Sequence, residues 1–170
     1  MKRFCLLLAA SALLASCALE PYLVDQREAY MDDYLEKRFT KRTLFKGPFP
    51  DVRVPADIVR YLQNHIAFRT VDAVRDPEEI FASGYGDCES YALGYANIAY
   101  VQFGIKCDVS VVKYDPALHI EKGTMDVDHA VVRYPDGTII EPQTGKRKAY
   151  EVCYWYSFDE VFPNASREAK

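Results

Sequence analysis

Apolar positions recur along the chain in rhythms that change from segment to segment, and each rhythm predicts a different element. After Met1-Lys2-Arg3, Phe4 to Ser16 is an uncharged run of 13 residues, the length of a signal-peptide core and too short to span a bilayer. Residues 19 to 38 put Leu23, Tyr30, Tyr34 and Leu35 on one face of a helix. Lys46 to Pro55, with Pro48, Pro50 and Pro55, reads as a linker crossing the surface, and Ile58 to Ile66 as a short amphipathic helix. Glu89 to Phe103 is apolar almost all round, contains no proline and stops at Gly104. This predicts a helix buried in the domain centre, with Cys88 at its N-terminus and Asp87 as N-cap. Ile105 to Tyr114 and Ala149 to Phe158 are β-rich, and between them His129 to Tyr134 alternates as a strand does.

Pro135-Asp136-Gly137 separates that strand from Thr138-Ile139-Ile140-Glu141. Such a loop suits a type I turn with Gly in the left-handed position, which pairs Tyr134 with Thr138. By counting, Arg133 then faces Ile139, Val132 faces Ile140 and Val131 faces Glu141, with His129 on the same side as Val131. His129 and Glu141 are diagonal neighbours, roughly 7–8 Å apart at the backbone, within reach of a carboxylate-to-imidazole hydrogen bond. Gln143 lies directly opposite His129 and orients the ring instead if the pairing continues past Pro142. A central helix with an antiparallel sheet predicts an α+β fold.

Composition narrows the class. With 170 residues and 49% hydrophobic content, the chain is one folded domain rather than a disordered or low-complexity one. The expected organisation is a signal peptide over 1–16, a tether, helix and linker over 17–54, the domain over 55–162 and a tail over 163–170. A net charge of −4 gives no reason to approach nucleic acid. The signal ends Leu14-Ala15-Ser16-Cys17, which is similar to the bacterial lipoprotein signal. That resemblance implies lipidation of Cys17, which becomes the first residue of the mature protein. Loss of Lys2 and Arg3 leaves 19 basic and 25 acidic side chains, so acyl chains rather than basic residues would hold the protein to the membrane. Ala18 and Leu19, where Asp favours inner-membrane retention, imply the outer membrane, with the domain facing the periplasm. Lys37, Arg38, Lys41, Arg42 and Lys46 form a basic cluster expected to be a solvated face.

Three cysteines then remain, in a compartment that permits disulfides. Cys107 and Cys153 lie in the two β-rich runs, so a bridge between neighbouring strands is one arrangement and two buried free thiols the other. Cys88 differs, because the unpaired amides and dipole of a helix N-terminus favour the thiolate. The charges of Asp87 and Glu89 oppose it, so a base is required. Of three histidines, His65 sits on a short surface helix and His119 in a polar loop, which makes His129 the first candidate. Asp126, Asp128 and His129 lack metal-site spacing, so neither metal nor cofactor is assigned. The Cys88 amide is a natural oxyanion donor, and Tyr85, Gln63 and Asn64 are candidates for a second.

Gly86-Asp87-Cys88-Glu89-Ser90-Tyr91-Ala92, then Asp128-His129-Ala130-Val131-Val132, then Ile139-Ile140-Glu141-Pro142 resemble the transglutaminase-like superfamily of papain-type cysteine enzymes, most closely its bacterial cysteine proteinases. The resemblance covers about residues 55 to 145. It implies a nucleophile helix packed on an antiparallel sheet that carries the histidine and acid, with Cys88, His129 and Glu141 as the catalytic set. It also implies acyl transfer from a protein or peptide substrate in the envelope, to water or to an amine. Glu141 stands where the family usually has Asp, and Val131 where it commonly has an aromatic.

Overall fold

The computed structural model describes residues 39–71, 75–112, 129–146 and 152–165, all within one compact unit, Phe39–Lys170. The signal run, Cys17, the helix expected over 19 to 38, His119, Asp126 and Asp128 lie outside the described residues. No helix among the described residues is long and apolar enough to cross a membrane.

The chain is α+β. Its first half runs α1 (Asp57–His65), β1 (Ala67–Phe68), α2 (Pro77–Ser83), β2 (Tyr85–Gly86) and α3 (Cys88–Phe103). The second half supplies β3 (Asp108–Val112), β4 (His129–Arg133), β5 (Ile139–Ile140), β6 (Val152–Tyr156) and α4 (Phe158–Val161). The last four strands form an antiparallel sheet in the order β5-β4-β3-β6, and β1 pairs with β2 in parallel as a separate two-stranded ribbon.

Helix α3 is the centre. Asp87 caps it, its carboxylate accepting from the Ser90 amide at 3.0 Å and the Ser90 hydroxyl at 3.1 Å. Ser90 through Ala99 are all buried, so this helix has no solvent face for most of its length, as its unbroken apolar sequence requires. It packs against β3 and β4 on one side and α1 and α2 on another. Strand β4 is itself buried at Ala130, Val131 and Val132, and only its two ends, His129 and Arg133, reach partial exposure.

The β4–β5 hairpin has the register that its turn predicts: Val132 pairs with Ile140 and Arg133 with Ile139. Tyr134 N–H donates to the Thr138 carbonyl at 2.9 Å, and Gly137 takes the left-handed conformation at φ 85, closed to most side chains. The ladder ends at Ile140. Glu141 donates its N–H to Lys146 instead of continuing the strand, because Pro142 has no N–H to offer and the chain turns.

One expectation is corrected here. The run Lys46 to Pro55 is not a surface linker, for Phe49 and Val52 are in the core with Phe39, and the Asn97 side chain bonds both the N–H and the carbonyl of Phe45. The core therefore begins well before residue 55, and Ala165 extends it past residue 163, the expected start of a tail. Prolines set the extended path of this segment but do not decide what its phenylalanines bury against. For Cys107 and Cys153 the sequence left a bridge and two free thiols both open. Cys107 is a buried free thiol. The antiparallel register puts it at one end of β3, beyond the Val109–Tyr156 pair, while Cys153 falls at the bulge beside Val111 and Val112. The two positions are more than four residues apart along the ladder, roughly 14 Å at about 3.3 Å per residue, against a reach of about 7 Å between bridged Cα atoms.

Candidate active site

Cys88 opens α3 and is half-buried. Two backbone amides meet its sulfur: that of Glu89, on the same helix turn, and that of Ala130, on β4. The second contact matters more, because it joins the nucleophile position to the strand residue that directly follows His129. Gly86, just upstream, has no room for a side chain, since a Cβ there would lie 2.3 Å from that of Ser90; the glycine lets β2 pass close over the first turn of the helix.

His129 and Glu141 are in contact. Nε2 of the imidazole lies 3.2 Å from Oε1 of the carboxylate, and the side chains are only 14% and 13% exposed. The side-chain contact expected between them is present, but Glu141 has left the ladder, so the expected pairing of Val131 with Glu141 is not formed. Its other oxygen, Oε2, accepts from the Thr144 hydroxyl at 2.8 Å, and its main-chain carbonyl accepts from the Gly145 amide at 2.8 Å. Glu141 is therefore held at both ends by its own turn. Thr144 escaped the sequence reading. The signal was present, a hydroxyl residue three places after the carboxylate in Glu-Pro-Gln-Thr-Gly, where side-chain-to-turn hydrogen bonds are common.

Gln143 does not orient the histidine. Its Nε2 is buried with no hydrogen-bond partner, while its main-chain carbonyl accepts from Gln63 Nε2 at 2.6 Å. Of the three candidates for a second oxyanion donor, Gln63 is thereby brought beside the Glu141 turn. Asn64 faces a groove of about 450 Å³ on the outer side of α1, shared with Arg53, Arg60 and His65 and not with Cys88, His129 or Glu141. His65 stacks on Tyr61 with ring centroids 4.0 Å apart. Tyr85 is committed to its neighbours: the Arg75 and Arg69 guanidinium carbons sit 4.5 and 5.2 Å from its ring centre, and Arg75 donates to its carbonyl.

Electrostatics oppose a resting thiolate. Burial pushes the Cys88 thiol up from its ordinary 9.0 to about 11. The Ala130 amide pulls the other way, the charges of Glu89 and Asp87 add to the rise, and the Glu89 amide offsets a little. A thiol in this position reacts only if a neighbour takes its proton as it attacks. Among the described residues no cluster of three or more histidine, cysteine or acidic side chains is arranged to hold a metal. No protein-family model matches the chain, and no curated protein matches it.

Proposed function

We propose that the protein is a lipid-anchored cysteine hydrolase of the cell envelope, a peptidase or amidase with a papain/transglutaminase-like fold, that works through an acyl-thioester on Cys88. The observation that supports this reading best is the meeting of three elements: the Cys88 sulfur on the Ala130 amide, the adjacent His129, and a Glu141 carboxylate clamped against its imidazole.

With Nε2 engaged by Glu141, Nδ1 of His129 is the atom that removes the Cys88 proton as the sulfur attacks an amide carbonyl. The resulting oxyanion is met by the Cys88 amide at the positive end of α3. The imidazolium, steadied by Glu141, returns its proton to the leaving amine. Water then gives a proton to His129 and attacks the thioester, and the acid leaves as the thiol is restored. In this scheme the pair rests as neutral thiol and neutral imidazole, and the proton moves during attack.

The test uses the full chain in non-ionic detergent with an unfolded protein substrate, reading new amino termini by mass spectrometry with and without dansylcadaverine. Amide cleavage that disappears in Cys88→Ala is the expected result. Incorporation of the amine in place of cleavage makes the protein a transglutaminase. The raised thiol favours one other reading, a binding lipoprotein that keeps the fold without turnover; absence of both reactions together with a Cys88 inert to iodoacetamide establishes that reading and overturns the enzyme.

A further inference from the structure

Beside the β1–β2 ribbon, Arg69 and Arg75 bring two positive charges that no carboxylate among the described residues pairs with. Arg69 directly follows β1 and donates its backbone N–H to the carbonyl of Gly86 at 2.8 Å, which puts it next to the residue two places before Cys88. Arg75 sits close to the same glycine, 3.7 Å from where its Cβ would be, and is held there by Ser83 and the Tyr85 carbonyl. Both guanidinium groups lie over the ring of Tyr85. Among the described residues neither forms an ion pair with a carboxylate, in contrast to Arg42, Arg60, Lys106 and Arg133, each of which does. The Arg75 Nε is buried without a hydrogen-bond partner. Phe68 is paired with Gly86, is 62% exposed and has its ring centre 6.5 Å from that of Tyr91 on α3.

A buried donor without a partner is a costly arrangement for a protein to keep unless a ligand completes it. The negative charges that act on Cys88 are those of Glu89 and Asp87, and Asp87 is already bonded to Ser90, whereas Arg69 and Arg75 carry the positive charge at the ribbon. An anion would therefore be drawn to the ribbon side. We infer that the ribbon is a specificity subsite for an acidic peptide, in which a substrate carboxylate about two residues from the scissile carbonyl meets Arg69 and Arg75 while an apolar group rests on Phe68. This deepens, and rests on, the assignment of Cys88 as nucleophile.

The experiment compares two electrophiles on the full chain in non-ionic detergent: N-iodoacetyl-Gly-Gly, whose carboxylate is roughly 7 Å from the reactive carbon at about 3.5 Å per residue, and its neutral carboxamide. Each alkylates Cys88 with loss of iodide, the thiol proton passing to His129 and from it to solvent, and mass spectrometry locates the adduct. The rate ratio of acid to amide, divided by the same ratio for free cysteine, is expected to be about 3 or more. It should fall towards one in 0.5 M salt and in Arg69→Gln, whose exposed side chain makes that variant safe to fold, with Arg75→Gln as a second variant. A normalised ratio of one or less, or a raised ratio that neither variant lowers, overturns the subsite while leaving the nucleophile standing. A Cys88 that the neutral reagent does not label overturns both, and so separates failure of the subsite from failure of the enzyme.

Discussion

Cys88 and Cys107 are both thiols held below the surface, and burial drives both in the same direction, to about 11 and about 12 from an ordinary 9.0. They differ in what meets the sulfur. Cys107 is fully buried just before β3, where the charges of Asp108 and Asp136 add to the cost of ionising it and no donor among the described residues offsets them. Cys88 is half-buried, at the start of a helix, with two amides on its sulfur and the His129–Glu141 pair at the adjoining strand end. Burial alone would rank the two as equally inert. A thiol becomes a candidate nucleophile through its neighbours, and only one of these cysteines has them.

The comparison is broken most sharply by replacing each in turn. Cys88→Ala should abolish amide cleavage, a loss of at least about 10³-fold, whereas Cys107→Ala should keep the chemistry and cost about 1–2 kcal/mol of stability in urea unfolding. Similar losses of activity from both would mean that the thiols are not distinguished as described. Next in size, Glu141→Gln removes the charge that steadies the imidazolium, and kcat should drop about 10²-fold with KM little changed. A change confined to KM would place Glu141 in binding instead.

The shared property of the two thiols gives a pH effect with a definite sign. Each holds its proton in the folded protein after the unfolded chain has begun to lose it at its ordinary value of 9.0. Stability from neutral burial is therefore whole below pH 9 and is lost as pH climbs towards 11 for Cys88 and 12 for Cys107, at about 1.4 kcal/mol per pH unit for each thiol. Tyr61 and Tyr91, also raised by burial, add to the loss above pH 10, so urea midpoints between pH 8 and 10 isolate the cysteines. Cys107→Ala should halve the slope in that window; an unchanged slope contradicts the burial of Cys107. Smallest of all, Thr144→Val should lower kcat about 5-fold by loosening the carboxylate, and Thr144→Ser should restore it. Failure of serine to rescue assigns the effect to packing of the turn.

Much of the site was legible because its rules are local. Asp87, the proline-free apolar run and Gly104 determine a helix with Cys88 in its first turn, through capping and the absence of a polar face. Pro135-Asp136-Gly137 determines a turn type, the turn determines the register, and the register brings Glu141 to the side of His129. Each of these steps spans only a few residues of chain, where sterics and hydrogen bonding leave few choices.

Other features depended on contacts that no local rule reaches. The order β5-β4-β3-β6 sends Cys107 and Cys153 to different ends of a ladder, which neither their spacing nor their β-rich settings can foretell. Phe39 and Phe49 join the core because Asn97, 52 positions after Phe45, clamps that segment to the central helix. The thiol of Cys88 is raised because α3 is enclosed by both the sheet and two other helices, and desolvation is a property of everything that surrounds a group. The residue types and short spacings by themselves determined which groups are present and how the hairpin aligns them. Tertiary packing alone decided that Arg69 and Arg75 flank Tyr85 beside the nucleophile, since burial and charge act through space and the chain's order does not record distance.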